Sequence, residues 1–381
     1  MACFQSELDE KGGSCRHHTW WQLSPGPEAK VALATFDWRE SSPEHFEYNT
    51  MKILFILPSN IGDIVLASPA IALARQHHPQ ALFYIMLGTS TDNSYSFSLF
   101  ENAKKFYEQV FVYSKKSKWR KKIRLIKDLR QHHFDEIIDL KNSFLSFLLA
   151  GKNIKNQLLL KIYWVILKNF MGYKKKYVAF FYFDLLKKIG FQGEFKFEVF
   201  PSIPNMVETY DIRFNPNKKI ILISPGSKNM TKRWSQDYYT RVIYDLLKNG
   251  KYQIILVGDE SDRPIIDNMM IHFLDDINVI NLCTKTTLSE LYNLIRKSNL
   301  VITNDSAPLH LAAAANVPSL AIFGPSDYKK YAPPFSNHTT VMVDLECSPC
   351  ERSLCRYDIA KPPCMINITP REILKKIYAS V

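Results

Sequence analysis

From Met51 onward the apolar and polar positions alternate between two rhythms. Short runs of Ile, Leu, Val and Phe, bounded by Pro, Gly, Asn or Asp, read as strands buried on both faces, and the stretches between them, with apolar residues three and four apart, read as helices. The pattern predicts strands over Lys52–Leu57, Leu82–Leu87, Val110–Tyr113 and Glu136–Leu140, with helices through Ala70–Gln76, around Leu99–Tyr107 and from Lys118. Residues Asn153 to Gly190 read as two helices, the second over Tyr177–Ile189 and stopped by Gly190. A proline-containing stretch from Pro201 to Asn217 marks a linker. The alternation then restarts with strands Lys219–Ile223, Gln253–Val257, Val279–Leu282, Leu300–Thr303 and Ser319–Phe323. Helices are expected over Ser235–Lys248, from Arg263, over Leu288–Arg296, from about Pro308 and over Pro370–Tyr378. Such alternation implies parallel sheets covered by helices. The expected fold class is α/β, with two doubly wound, Rossmann-like domains at 51–205 and 206–381 facing a cleft.

Residues 1–50 keep no period and are rich in Ser, Pro, Gly, Glu and His; they are expected to be a disordered extension, or a stretch lying ahead of the natural start at Met51. The 381-residue chain, 46% hydrophobic and 23% charged, can bury full cores without staples. Its formal charge of +12 favours anionic partners: nucleic acid, an anionic membrane face or a phosphorylated substrate. No DNA- or RNA-binding signature accompanies the basic runs at Lys104–Lys105, Lys115–Arg124 with Lys127 and Arg130, and Lys174–Lys176, so no nucleic-acid partner is expected. Those runs read either as solvated helix faces or as a binding patch. No signal-peptide pattern opens the chain and no apolar run reaches the roughly eighteen residues of a membrane span, which predicts a cytoplasmic protein with reduced thiols. The most apolar segment, Leu158–Leu167, is interrupted by Lys161 and reads as a core helix or as a lipid-facing amphipathic surface.

Candidate chemistry gathers at the carboxyl ends of predicted strands. In Val301-Ile-Thr-Asn-Asp-Ser-Ala-Pro-Leu-His310 an apolar strand stops at Asn304-Asp305-Ser306 and a helix opens near Pro308. Its free N–H groups and dipole suit a phosphate or diphosphate, and an ordinary strand–helix unit capped by Ser306 is the alternative. Pro58-Ser-Asn-Ile-Gly-Asp63 holds the corresponding place after the first strand; Gly62 permits close backbone approach, and Asp63 is either a helix-capping carboxylate or a group facing the cleft. Ser68-Pro69 reads as the N-cap and first residue of a helix. Gly226 and Ser227 can give donors to phosphate, and Lys232 and Arg233 can neutralise it. Asp259 and Glu260 can bind ribose hydroxyls or simply begin a helix. No Gly-x-Gly-x-x-Gly supports a nicotinamide, no Walker spacing is present, and no Asp-x-Asp offers a metal site, so no cofactor is expected. Cys347, Cys350, Cys355 and Cys364 are spaced C-x2-C-x4-C-x8-C and suit a metal, buried thiols or a disulfide.

Taken together, Asn304-Asp-Ser-Ala-Pro-Leu-His-Leu-Ala-Ala-Ala314 and Phe323-Gly-Pro-Ser-Asp327 resemble the nucleotide-sugar-binding half of the lipopolysaccharide heptosyltransferases, glycosyltransferase family 9, in a heptosyltransferase-II-like form. Gly62-Asp63 with Ser68-Pro69 is similar to that family's Gly-Asp-x4-[Thr/Ser]-Pro motif, and Pro225-Gly-Ser227 with Lys232-Arg-Trp234 to its Pro-Gly-[Ala/Ser]…Lys-x-Trp motif. The departure is Ala307, where many members carry Gly. The resemblance implies a GT-B fold whose last helix packs back onto the first domain, and an inverting, metal-independent transfer of heptose from ADP-heptose to the lipid A/Kdo inner core at the inner membrane of a Gram-negative bacterium. It further implies Asp63 as general base. Ser227, Lys232, Arg233, Asp259, Asp305, Ser306, Ala307 and His310 would hold the donor in the second domain, and Ser59, Asn60 and Gly62 would face the acceptor in the first. The alternatives are a relative using another nucleotide sugar or surface glycan, and a non-catalytic membrane-associated paralogue.

Overall fold

The structure is a computed structural model that describes residues 50–89, 107–114, 118–143, 145–149, 154–169, 176–199, 214–358 and 360–380. The expected extension before Met51, the helix expected around Leu99 and most of the stretch from Pro201 lie outside the described residues. Two parallel sheets appear, as the alternation predicts.

The first lobe holds β1 (Lys52–Leu57), α1 (Ile61–His77), β2 (Leu82–Thr89), β3 (Gln109–Ser114), α2 (Trp119–Gln131), β4 (Glu136–Asp139), α3 (Leu145–Leu149), α4 (Ile154–Asn169) and α5 (Val178–Lys188), with strand order β3-β2-β1-β4. The second holds β5 (Lys219–Ser224), α6 (Gln236–Lys248), β6 (Tyr252–Leu256), α7 (Arg263–Met270), β7 (Val279–Asn281), α8 (Leu288–Lys297), β8 (Leu300–Asn304) and α9 (Ala307–Ala314). It continues with β9 (Ser319–Ile322), α10 (Tyr328–Tyr331), β10 (His338–Val341), α11 (Pro363–Ile366) and α12 (Pro370–Ser380), in the order β10-β9-β8-β5-β6-β7. Central strands such as β1, β6 and β8 are buried almost throughout, which is why they read as unbroken apolar runs and not as alternations.

One expectation is corrected. Helix α1 starts at Ile61, not at Pro69: Asn60 is the extended residue ahead of it, and its carbonyl accepts the Ile64 N–H at 3.0 Å. Pro69 sits inside the helix, where it removes one backbone bond. The helix continues because every residue from Ile64 to Ala74 is buried. Helix α12 packs on α6 of its own lobe, where Ile373 and Ile377 complete an apolar core with Tyr239, Val242 and Leu246.

The lobes touch at α1 and around Phe335. Helix α1 packs against α9 as well as against α5. In addition Phe335, between α10 and β10, is surrounded by first-lobe rings, with centroids 6.1 Å from Tyr177, 6.3 Å from Phe180, 6.4 Å from Phe195 and 6.2 Å from Phe197.

Candidate active site

The α1–α9 contact brings together the turns that follow β1 and β8, the strand ends where doubly wound sheets present ligands. Its tightest point is Gly62 against His310: a β-carbon on Gly62 would stand 2.8 Å from the imidazole Cδ2. His310 is buried and its Nδ1 has no hydrogen-bond partner. Burial holds the imidazole below the usual histidine range; the Asp305 and Asp63 carboxylates oppose that shift and the Lys232 ammonium adds to it. The ring thus feels two acids and a cation supplied by both lobes.

Asp63 lies in the first turn of α1, where a carboxylate suits the helix dipole. Its Oδ2 accepts from the Asn60 side chain at 2.9 Å. Two tyrosines unnoticed in the sequence face it. Burial, then Asp63, Glu351, Asp305 and Asp327, push the Tyr331 phenol up to about 12. The Tyr182 phenol is raised by burial and then by Asp63. Neither sits in a motif, so only the fold could reveal them.

On the second lobe, Lys232 Nζ donates to Asp305 Oδ2 at 2.6 Å and lies 5.9 Å from the Tyr331 ring centroid. Arg233 is held differently: its Nε donates to the Ser227 carbonyl at 2.7 Å and its Nη2 to Asp262 at 3.3 Å. Gly226 is required there, because a β-carbon would fall on the Asp262 carboxylate. The buried amide of Asn304 ties these turns together. It donates to the carbonyls of Pro225 at 2.7 Å and Gly226 at 3.2 Å, and accepts from the Trp234 N–H and the Tyr239 hydroxyl at 3.1 Å each. Ser306 pairs with Thr303 at 2.9 Å and does not cap α9 with its side chain, leaving the first N–H groups of that helix, from Ala307, unclaimed by a cap. Asp259 is exposed and accepts from Ser261 in a local turn, and Glu260 pairs with Arg263. Ser59 Oγ is buried without a partner.

Asp63, Asn60, Gly62, Lys232, Asp305 and His310 therefore converge, whereas Asp259 stands apart at the end of β6. Cys347, Cys350, Cys355 and Cys364 are free thiols that line one cavity with Arg352 and Arg356. Burial, then the other three thiols, push Cys364 up to about 11. Among the described residues no group of three or more His, Cys, Asp or Glu is arranged to hold a metal ion.

Residues 181–361 match glycosyltransferase family 9 (heptosyltransferase). The sequence is 29% identical to lipooligosaccharide heptosyltransferase 2 of Campylobacter jejuni over 86% of this chain and 97% of that protein. The fold matches Escherichia coli ADP-heptose LPS heptosyltransferase II with a TM-score of 0.65 at 20% identity, covering 87% of this chain and 98% of that one. It also matches Escherichia coli heptosyltransferase WaaC with ADP-2-deoxy-2-fluoro heptose, at a TM-score of 0.58 and 15% identity over 87% and 100% of the two chains. Two parallel sheets, each with its covering helices, give the chain the GT-B fold of these structures. Its second half carries a glycosyltransferase family 9 (heptosyltransferase) domain, and the protein is a glycosyltransferase.

Proposed function

We propose that this enzyme transfers heptose from ADP-heptose to the inner core of lipopolysaccharide, with inversion at the anomeric carbon, at the cytoplasmic face of the inner membrane. The observation that carries the reading is the convergence of Asp63 from one lobe with Lys232, Asp305 and the opening of α9 from the other. The diphosphate sits over the α9 N-terminus, where N–H groups and dipole meet its charge, and Lys232 exchanges part of its Asp305 contact for a phosphate oxygen. As the sugar–phosphate bond breaks, negative charge grows on the leaving diphosphate and these groups stabilise it. Asp63, on the opposite side, accepts the proton of the attacking acceptor hydroxyl. The Tyr331 hydroxyl lies among the same carboxylates and remains a phenol at working pH, able to donate to an acid or to substrate. Ser227 and Arg233 shape the phosphate turn, Asp259 meets the ribose, and Ser59, Asn60 and Gly62 line the acceptor side.

The test is product formation with purified enzyme, ADP-heptose and a delipidated Kdo-containing core, with UDP- and GDP-sugars as competitors. Heptosylated core formed only from the ADP donor is the expected result. Turnover of a UDP- or GDP-sugar in its place would move the enzyme to another donor class.

A further inference from the structure

Helix α4 has one face that the fold uses and one that it leaves bare. Leu160 and Leu167 are buried, and Trp164 stacks edge-on against Phe181 of α5 at 4.9 Å. On the outer face Leu158, Ile162 and Val165, spaced four and three apart, are 52%, 44% and 51% exposed. The lysine that interrupts this apolar segment does not interrupt the stripe. Lys161 turns its ammonium inward, to Asn142 Oδ1 at 2.8 Å, the Ser143 carbonyl at 2.7 Å and the buried Asp139 at 3.4 Å.

A cationic helix is joined to α4 through α3. Helix α4 touches α3, where Leu148 is exposed, and the Leu148 carbonyl accepts from Arg130 Nε at 2.9 Å and Nη2 at 2.6 Å. Arg130 closes one face of α2 formed by Trp119, Ile123 and Lys127, with Trp119 66% exposed. Lys121 and Arg124 are exposed on the same helix. Bare apolar rows bordered by exposed positive charge fit an anionic lipid surface, where leucines and a tryptophan enter the headgroup boundary and cations meet lipid phosphates. A second copy of a chain with formal charge +12 would bring like charge against like.

We propose that α4, α3 and α2 form the face by which this enzyme sits on an anionic bilayer. The inference rests on the reading that its acceptor is lipid-linked, and its charge and apolar rows specify the membrane side of that reading.

The test is co-sedimentation of the full chain with vesicles of phosphatidylethanolamine and phosphatidylglycerol, against vesicles of phosphatidylcholine. Wild type should bind the anionic vesicles and lose affinity with salt. Leu158→Gln/Ile162→Gln/Val165→Gln should weaken binding roughly tenfold or more, with unchanged melting temperature and unchanged transfer to delipidated core. Lys121→Gln/Arg124→Gln/Lys127→Gln should lose roughly fivefold for each charge and with it the preference for anionic lipid. Wild type that stays free of anionic vesicles, or an apolar variant that binds as tightly as wild type, overturns the proposal even where heptose transfer is intact. A wild-type dimer that the apolar variant converts to monomer overturns it as well, assigning the face to a second copy. Vesicle binding without transfer from ADP-heptose upholds the face and counts against the transfer reading alone.

Discussion

Gly62 lies directly against the His310 ring, so that two residues from different lobes leave no room for a methyl group between them. Alanine is the better helix former, by roughly 0.5–1 kcal/mol, and Gly62 is in the first turn of α1. Overpacking the contact works the other way, at roughly 1–3 kcal/mol. Gly62→Ala should therefore lower the melting temperature and reduce kcat, because the ring must move from between Asp63 and Asp305. A raised melting temperature would show that the lobes part easily at this point.

Asp63→Asn keeps shape and leaves an oxygen for the Asn60 amide, yet cannot take a proton. If Asp63 is the base, kcat falls roughly 10²- to 10⁴-fold while donor affinity is unchanged. If it serves only the start of α1, asparagine is nearly as good there and turnover stays close to wild type. Single-turnover rates beside ADP titration separate the two.

Lys232→Met removes a cation 2.6 Å from a buried Asp305 carboxylate. Donor KM should rise by the equivalent of about 1.5–3 kcal/mol, and the acceptor KM should hardly change. Lys232→Met/Asp305→Asn should regain the stability lost by the single variant, because the uncompensated acid is gone, without regaining donor affinity. An unchanged donor KM in Lys232→Met would take the residue out of the site.

His338 offers a pH signature. Burial lowers its imidazole to about 4, and its Nδ1 pairs with Ser319 at 2.8 Å. Between an unfolded value near 6.5 and this folded one, the unfolded chain binds the extra proton. The contribution is present above about pH 6.5 and lost as pH falls toward 4. His310, also lowered, acts in the same direction. Melting curves from pH 7 to 4 should fall less steeply for His338→Asn than for wild type; identical slopes would place the proton uptake elsewhere.

The inner strands of both sheets were legible because they are buried on both faces, and a run such as Leu54–Leu57 or Ile221–Ile223 has no other stable place, whereas the edge strand β10, only half-buried up to Val341, has no apolar run and was missed. The turns after β5 and β8 were legible for a related reason: Asn304 and Gly226 are polar or minimal residues at strand ends, and the structure shows each is needed where it is. What escaped depended on contacts between distant segments. Pro69 carries the local signal of a helix start, which burial of its neighbours overrides. Tyr182 and Tyr331 have no local signal at all, since their shared neighbour Asp63 is remote from both in the chain. Lys161 interrupts an apolar segment in the sequence, and only the position of Asp139 shows that its ammonium points inward.

Phe335 has a consequence for how such enzymes can be recombined. It is a second-lobe residue whose ring is seated among Tyr177, Phe180, Phe195 and Phe197 of the first. A chimera that joins the first lobe of one heptosyltransferase to the second lobe of another inherits half of this socket from each parent. Mismatched halves leave either a void or a collision at the joint, even where the turns after β1 and β8 are intact. A lobe is therefore exchangeable between relatives only when the plug and its socket travel as one unit.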